Sequence, residues 1–198
     1  MNTLDPTAPF VLDTKPMRRR AGAMLTVQRE VPAPAGWEVS SCQVAPGTPV
    51  ALDLRMESVV EGVLVSGTAT VATIGECSRC LDPVPGQLVV EVQQLFEYPE
   101  SEQGTGEDEE PLPRLVGELL DLEPPLRDGV VLDLPLVPLC EPDCPGLCAT
   151  CGARLADDPG HRHSESDARW AALQDWLASP HDAPDTTADG SDLAEKGN

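Results

Sequence analysis

Six of the seven cysteines fall into two groups, Cys77-Ser-Arg-Cys80 and Cys140-x3-Cys144-x3-Cys148-Ala-Thr-Cys151-Gly152. Two Cys-x2-Cys pairs separated by a long stretch are what a zinc ribbon needs. Each pair rides on a tight turn and aims two thiolates at one tetrahedral ion. The start of the chain does not read as a secretory signal, because Asp5, Asp13 and prolines interrupt any apolar run. The expected compartment is therefore the cytoplasm, where clustered cysteines bind metal or do redox chemistry more often than they form disulfides.

One zinc takes four ligands, and six thiols compete for it. The preferred set is Cys77, Cys80, Cys148 and Cys151, since long-range closure ties the C-terminal segment to the rest of the fold. Cys140, Cys144, Cys148 and Cys151 form a local alternative. A two-ion arrangement that also uses His161 and His163 stays open, although Asp158-Pro-Gly-His-Arg-His163 reads as an exposed turn. Gly152 is free to take positive φ and so lets backbone N–H groups turn toward sulfur, and Arg79 offsets part of the thiolate charge. Cys42 stands alone and reads as a thiol without a role. Cys144-x3-Cys148-x2-Cys151 also matches the spacing by which radical S-adenosylmethionine enzymes hold an iron–sulfur cluster. Only 47 residues follow Cys151, too few for the large barrel those enzymes need.

Other catalytic patterns are missing. The three histidines form no His-Glu-x-x-His, and there is no Gly-x-Ser-x-Gly and no phosphate-binding glycine loop. The expectation is a protein that is not an enzyme and takes no small-molecule substrate. The single basic feature is Lys15-Pro-Met-Arg18-Arg19-Arg20, a candidate grip on a phosphate backbone or an acidic partner whose plainer reading is a solvated turn.

The formal net charge is −21, with 13 basic against 34 acidic residues, which opposes the phosphate attraction of a general RNA-coating protein. Three Trp, one Tyr and two Phe are too few for a base-stacking platform and require an aliphatic core. No run approaches the ~18 apolar residues of a membrane helix, so no membrane partner is expected. Residues 98–113 carry six acids and no base, and their stretch 99–111 offers nothing apolar to bury, so it reads as a solvated loop. The expected organisation is a flexible start over 1–8, one α+β domain over 9–179 with the cysteine-rich segment 140–152, and a disordered acidic tail over 180–198.

The elements that must position the cysteines are mainly strands. Val50, Leu52, Leu54 and Met56 alternate with Ala51, Asp53, Arg55 and Glu57, which puts the aliphatics on one face. Glu61-Gly62 offers a turn before the β-rich run Val63 to Val71, and Leu88 to Phe96 makes a further strand. Phe10 to Leu12 and Met24 to Val31 are shorter candidates. Cys77 follows a strand, which places the first pair at a sheet end. Asp121 can cap a short helix with Leu122, Leu126 and Val130 on one face, and a second helix is expected over Asp167 to Leu177. The expected fold is thus mainly an antiparallel sheet or partly open barrel with two short helices and a cysteine-rich zinc-binding segment.

Taken together, several stretches resemble the YceD family, the large ribosomal RNA subunit accumulation proteins. They are Phe10-Val-Leu-Asp-Thr14, the Arg-rich turn, Leu54-Arg-Met-Glu-Ser-Val-Val-Glu-Gly-Val-Leu-Val-Ser-Gly67, Cys77-Ser-Arg-Cys80-Leu, Leu95-Phe-Glu-Tyr98, Asp121-Leu-Glu-Pro, Leu134-Pro-Leu-Val-Pro-Leu-Cys140 and Cys144-Pro-Gly-Leu-Cys148. The resemblance spans about residues 9 to 178, and its most specific parts are the Cys-x-Arg-Cys element and the cysteine-rich segment behind Leu-Pro-Leu. It implies a non-catalytic role in accumulation of 23S ribosomal RNA, with the large ribosomal subunit precursor as partner through a basic ribosomal protein or through rRNA. It supplies no ligand assignment, so a structural zinc rests on spacing alone. The alternative is a thiol or iron–sulfur redox protein.

Overall fold

The computed structural model describes residues 3–100, 112–163 and 170. The chain divides into two units, Met1–Pro159 and Gly160–Asn198. The named elements among the described residues belong to the first unit. They are β1 (Val11–Asp13), a 3-10 turn (Lys15–Met17), β2 (Met24–Pro32), β3 (Glu38–Val39), β4 (Cys42–Gln43), β5 (Pro49–Ser58), β6 (Gly62–Glu76), β7 (Pro83–Glu97), β8 (Leu119–Asp121) and the helix α1 (Glu123–Asp133).

Each of the long strands forms where the two-residue period is cleanest. Val50, Leu52, Leu54 and Met56 of β5 are all buried, while their neighbours Ala51, Asp53 and Arg55 face solvent. β5 pairs antiparallel with β2, from Met24↔Glu57 to Pro32↔Pro49, and with β6, from Val50↔Val71 to Ser58↔Val63. β6 is 15 residues long and pairs along its whole length with β7, from Gly62↔Glu97 to Glu76↔Pro83. It outruns β5 at its C-terminal end, and there the β3–β4 hairpin takes over the edge through Cys42↔Gly75 and Gln43↔Ile74. A separate two-stranded pair joins β1 to β8.

One face of the sheet is dry. Val63, Val65, Val71, Val90, Val92 and Phe96 join the β5 aliphatics, and Trp37 packs on Phe10 with ring centroids 5.5 Å apart. Leu122, Leu126 and Val130 are buried together, as their helical spacing requires. The Asp121 carboxylate accepts the Glu123 N–H at 3.0 Å, although the N-cap residue itself is Leu122. Prolines 124 and 125 sit in the first turn, where no N–H is needed, and Leu134 turns extended ahead of Pro135.

The expected fold class needs correcting. The described residues hold one α-helix, not two; the second expected helix, 167–177, lies outside them apart from Trp170. Of the two expected forms, antiparallel sheet or partly open barrel, the described strands make the sheet: β2 and β7 each pair with a single named strand. The apolar face is covered instead by α1 and the β1–β8 pair, which bury what barrel closure would otherwise have buried. The acidic stretch 99–111 lies outside the described residues except for Pro99 and Glu100, and so does the tail 180–198. Among the described residues no helix is long and apolar enough to cross a membrane.

Candidate metal centre

The longest hairpin of the sheet carries the first cysteine pair. Where β6 ends at Glu76 and β7 begins at Pro83, residues 77–82 reverse the chain. The Cys77 N–H donates to the Asp82 carbonyl and the Leu81 N–H to the Cys77 carbonyl, both at 2.8 Å. Leu81 takes φ 64, an αL conformation unusual for a branched side chain, and its side chain is exposed. The strain has a local reason. The reversal aims backbone N–H groups inward, and those of Arg79 and Cys80 point at the Cys77 sulfur.

The second half arrives after α1. Residues 134–139 run along the end of the sheet, where the Ser78 N–H donates to the Pro138 carbonyl at 2.9 Å and the Ser41 hydroxyl to the Leu136 carbonyl at 2.8 Å. This delivers Cys140, and a turn closed by the Cys144 N–H on the Glu141 carbonyl delivers Cys144. The sulfurs of Cys77, Cys80, Cys140 and Cys144 all lie within 4.8 Å of one another. Cys77 Sγ is 3.8 Å from Cys144 Sγ, and Cys80 Sγ is 3.6 Å from Cys140 Sγ. Zn–S bonds of about 2.3 Å in a tetrahedron place sulfurs about 3.8 Å apart, the separation of the Cys77–Cys144 and Cys80–Cys140 pairs, so the four thiols are close enough to share one ion. Cys77 and Cys144 are buried, Cys80 is half-buried and Cys140 is exposed, so the site has a dry inner side and a wet rim.

Arg79 holds the two halves together. Its guanidinium donates to the Cys144 carbonyl at 2.9 Å, and its own carbonyl accepts the Leu147 N–H at 3.0 Å. Gly146, at φ 79, sits against that carbonyl, and a Cβ there would come to 2.9 Å from the Arg79 oxygen. An ion pair between Arg154 and Asp82 adds a second tie.

Electrostatics explain why a cation suits this place. Backbone N–H groups of Cys140, Arg79 and Cys80 pull the Cys77 thiol down to about 6. At Cys80 the Asp82 N–H acts in the same direction, but burial and the neighbouring thiols outweigh it and push the group up to about 12. Cys140 is also raised, first by its hydrogen bond with Cys144 and then by burial. Four crowded thiols thus accommodate one negative charge easily and resist the next. A divalent ion reverses that balance and lets all four ionise.

The preferred sequence pairing is not the grouping in the structure. Cys77 and Cys80 meet Cys140 and Cys144, whereas Cys148 and Cys151 lie on a separate turn. The x3 spacing of Cys140 and Cys144 does not read as a metal turn, and only the path of residues 134–139 along the sheet end brings them in. Arg79 was expected to offset charge; its contacts are to backbone carbonyls. In the C-terminal unit, His161 and His163 face each other with Nε2 atoms 2.8 Å apart. Cys42 is buried on β4.

Of the basic residues, Lys15, Arg18 and Arg20 are exposed. Arg19 is engaged: it pairs with Glu100 at 3.1 Å and Glu118 at 3.3 Å, and its guanidinium lies over the Tyr98 ring at 4.9 Å.

The family model described as large ribosomal RNA subunit accumulation protein YceD matches residues 65–177, a span that contains all six clustered cysteines. An uncharacterized protein of Mycobacterium tuberculosis is 45% identical over 175 residues, covering 88% of this chain and 84% of its own. An uncharacterized protein of Mycobacterium leprae is 44% identical over 185 residues, covering 93% of this chain and 84% of its own. No solved structure matches the chain.

Proposed function

Because the chain belongs to the YceD family of large ribosomal RNA subunit accumulation proteins, we propose that it is a non-catalytic cytoplasmic factor in ribosome biogenesis that supports accumulation of 23S rRNA and assembly of the large subunit. The observation that carries this reading is the family match over residues 65–177. The four-thiol cluster enters it as a structural element. Zinc bound by Cys77, Cys80, Cys140 and Cys144 would fix residues 134–147 to the sheet end, with no open coordination position for a substrate.

A basic ribosomal protein is the better-supported partner within the large-subunit precursor. At a net charge of −21 the surface attracts a cationic partner and speeds encounter. Direct rRNA contact would have to pass through Lys15, Arg18, Arg19 and Arg20, of which Arg19 already answers two glutamates. A deletion strain tests the reading: mature 23S rRNA is expected to fall relative to 16S rRNA, and an unchanged ratio would overturn it. Complementation by a chain with Arg18, Arg19 and Arg20 replaced by Ala separates the partners. It succeeds if a basic protein is bound and fails if rRNA is gripped there.

A further inference from the structure

The two Cys-x2-Cys turns of the first unit are the same backbone structure built twice. In the first, the residues flanking the turn are the antiparallel pair Glu76↔Pro83; in the second, at the same offsets from the leading cysteine, they are the antiparallel bridge Leu147↔Arg154. The Cys77 N–H donates to the carbonyl five residues on, Asp82, at 2.8 Å, and the Cys148 N–H donates to the carbonyl five residues on, Ala153, also at 2.8 Å. The return bond repeats as well: Leu81 N–H to Cys77 and Gly152 N–H to Cys148, both at 2.8 Å. The residue after the second cysteine is αL in each, with φ 64 at Leu81 and φ 71 at Gly152. The first copy adopts this shape with its two sulfurs in the four-thiol cluster.

We propose that Cys148 and Cys151 supply two thiolates to a second metal ion of the zinc class, separate from the Cys77–Cys80–Cys140–Cys144 site. The first cluster uses four of the seven thiols, and Cys42 is buried on β4. No further cysteine remains to make a second four-thiolate site, so this pair binds its ion through two thiolates. A backbone turn that aims N–H groups at its leading sulfur favours the thiolate over the thiol, which is the form a metal takes. The inference rests on the first cluster's being a metal site, but not on the ribosomal reading.

The test is metal stoichiometry of the full chain, purified under reducing conditions and loaded with zinc alone. Two ions per chain are expected. The double variant Cys148→Ser/Cys151→Ser is expected to keep one, and Cys77→Ser/Cys80→Ser to keep the other. Cobalt substitution identifies which ion remains, because sulfur-to-cobalt charge-transfer absorption is about twice as strong for four thiolates as for two. One ion in the wild-type chain, unchanged in Cys148→Ser/Cys151→Ser, would overturn the second site while leaving the first intact. No zinc in any variant would overturn both sites together and so identify failure of the premise.

Discussion

The sheet and the cysteine turns are two regions of one unit held by different forces. The sheet buries Val50, Leu54, Met56, Val65, Phe96 and Trp37 almost completely, and water exclusion over that area stabilises it without any directed bond. Residues 134–155 have little of this. Leu136 and Val137 are exposed, Leu132 just before them is exposed, and the segment is tied down by a few hydrogen bonds, the guanidinium groups of Arg79 and Arg154, and four thiols. A region that cannot bury enough apolar surface takes its order from ligands. The lesson is one of dependence: the turns need the sheet to present Cys77 and Cys80, whereas the core that the sheet buries draws little from the turns.

The largest effect should therefore come from the sheet. Phe96→Ala is expected to cost about 3–5 kcal/mol and Leu54→Ala about 2–5 kcal/mol, read as a fall in the urea midpoint with the m-value unchanged. Both variants should lose metal only when they unfold. Melting of β5 and β6 on chelation alone, with every core residue unchanged, would reverse the order of dependence.

Next comes Cys144→Ser, or chelation of the wild type. Metal at the first site is expected to be lost, and amide exchange should quicken in residues 134–155 while the β5–β6 amides stay protected. Acid should act in the same direction, since protons compete with metal for thiolate. In the chelated protein the Cys77 group also links stability to pH. Its value is depressed from 9.0 to about 6. Its contribution is accordingly full above pH 9 and lost as pH falls through 6. A pH titration of the metal-free stability that rose on acidification over this window would contradict the N–H-stabilised thiolate.

Arg79→Ala should be milder. Losing a charged donor to the Cys144 carbonyl is expected to cost about 1–3 kcal/mol, confined to the turns, and to weaken metal affinity at constant global midpoint. Cys42→Ser probes the opposite region: about 1 kcal/mol of global stability should go, from a hydroxyl placed in a buried apolar site, with metal content unchanged. The smallest effect belongs to Arg127→Ala, whose pairing with Glu123 across one helical turn is exposed; about 0.5 kcal/mol or less is expected, and less still at high salt.

Much of the sheet was legible from residue order. The β5 alternation, the start of β2 at Met24 and the Leu122–Leu126–Val130 face all appear in the structure where periodicity puts them. The ends of β6 and β7 were less so: both run past the apolar core, because a long antiparallel pair continues on backbone hydrogen bonds after the side-chain pattern has faded. β3, β4 and β8 are two or three residues long, too short for any period to declare itself. The Cys77–Cys80 turn at a sheet end was readable, and so was the positive φ of Gly152.

The partners of Cys77 and Cys80 were not readable. Residue type and spacing determine which thiols are able to bind a metal and which local turns they make, because a Cys-x2-Cys reversal is closed by hydrogen bonds within six residues. Which turn meets which is a matter of distance in space, and that depends on where the chain goes after α1. The Leu134–Pro135 break, the Pro138 carbonyl on Ser78 and the Ser41 hydroxyl on Leu136 steer Cys140 and Cys144 to the sheet end ahead of Cys148. No spacing rule encodes that route, since it is decided by contacts among residues some sixty positions apart, such as Ser78 with Pro138, that exist only once the sheet has formed.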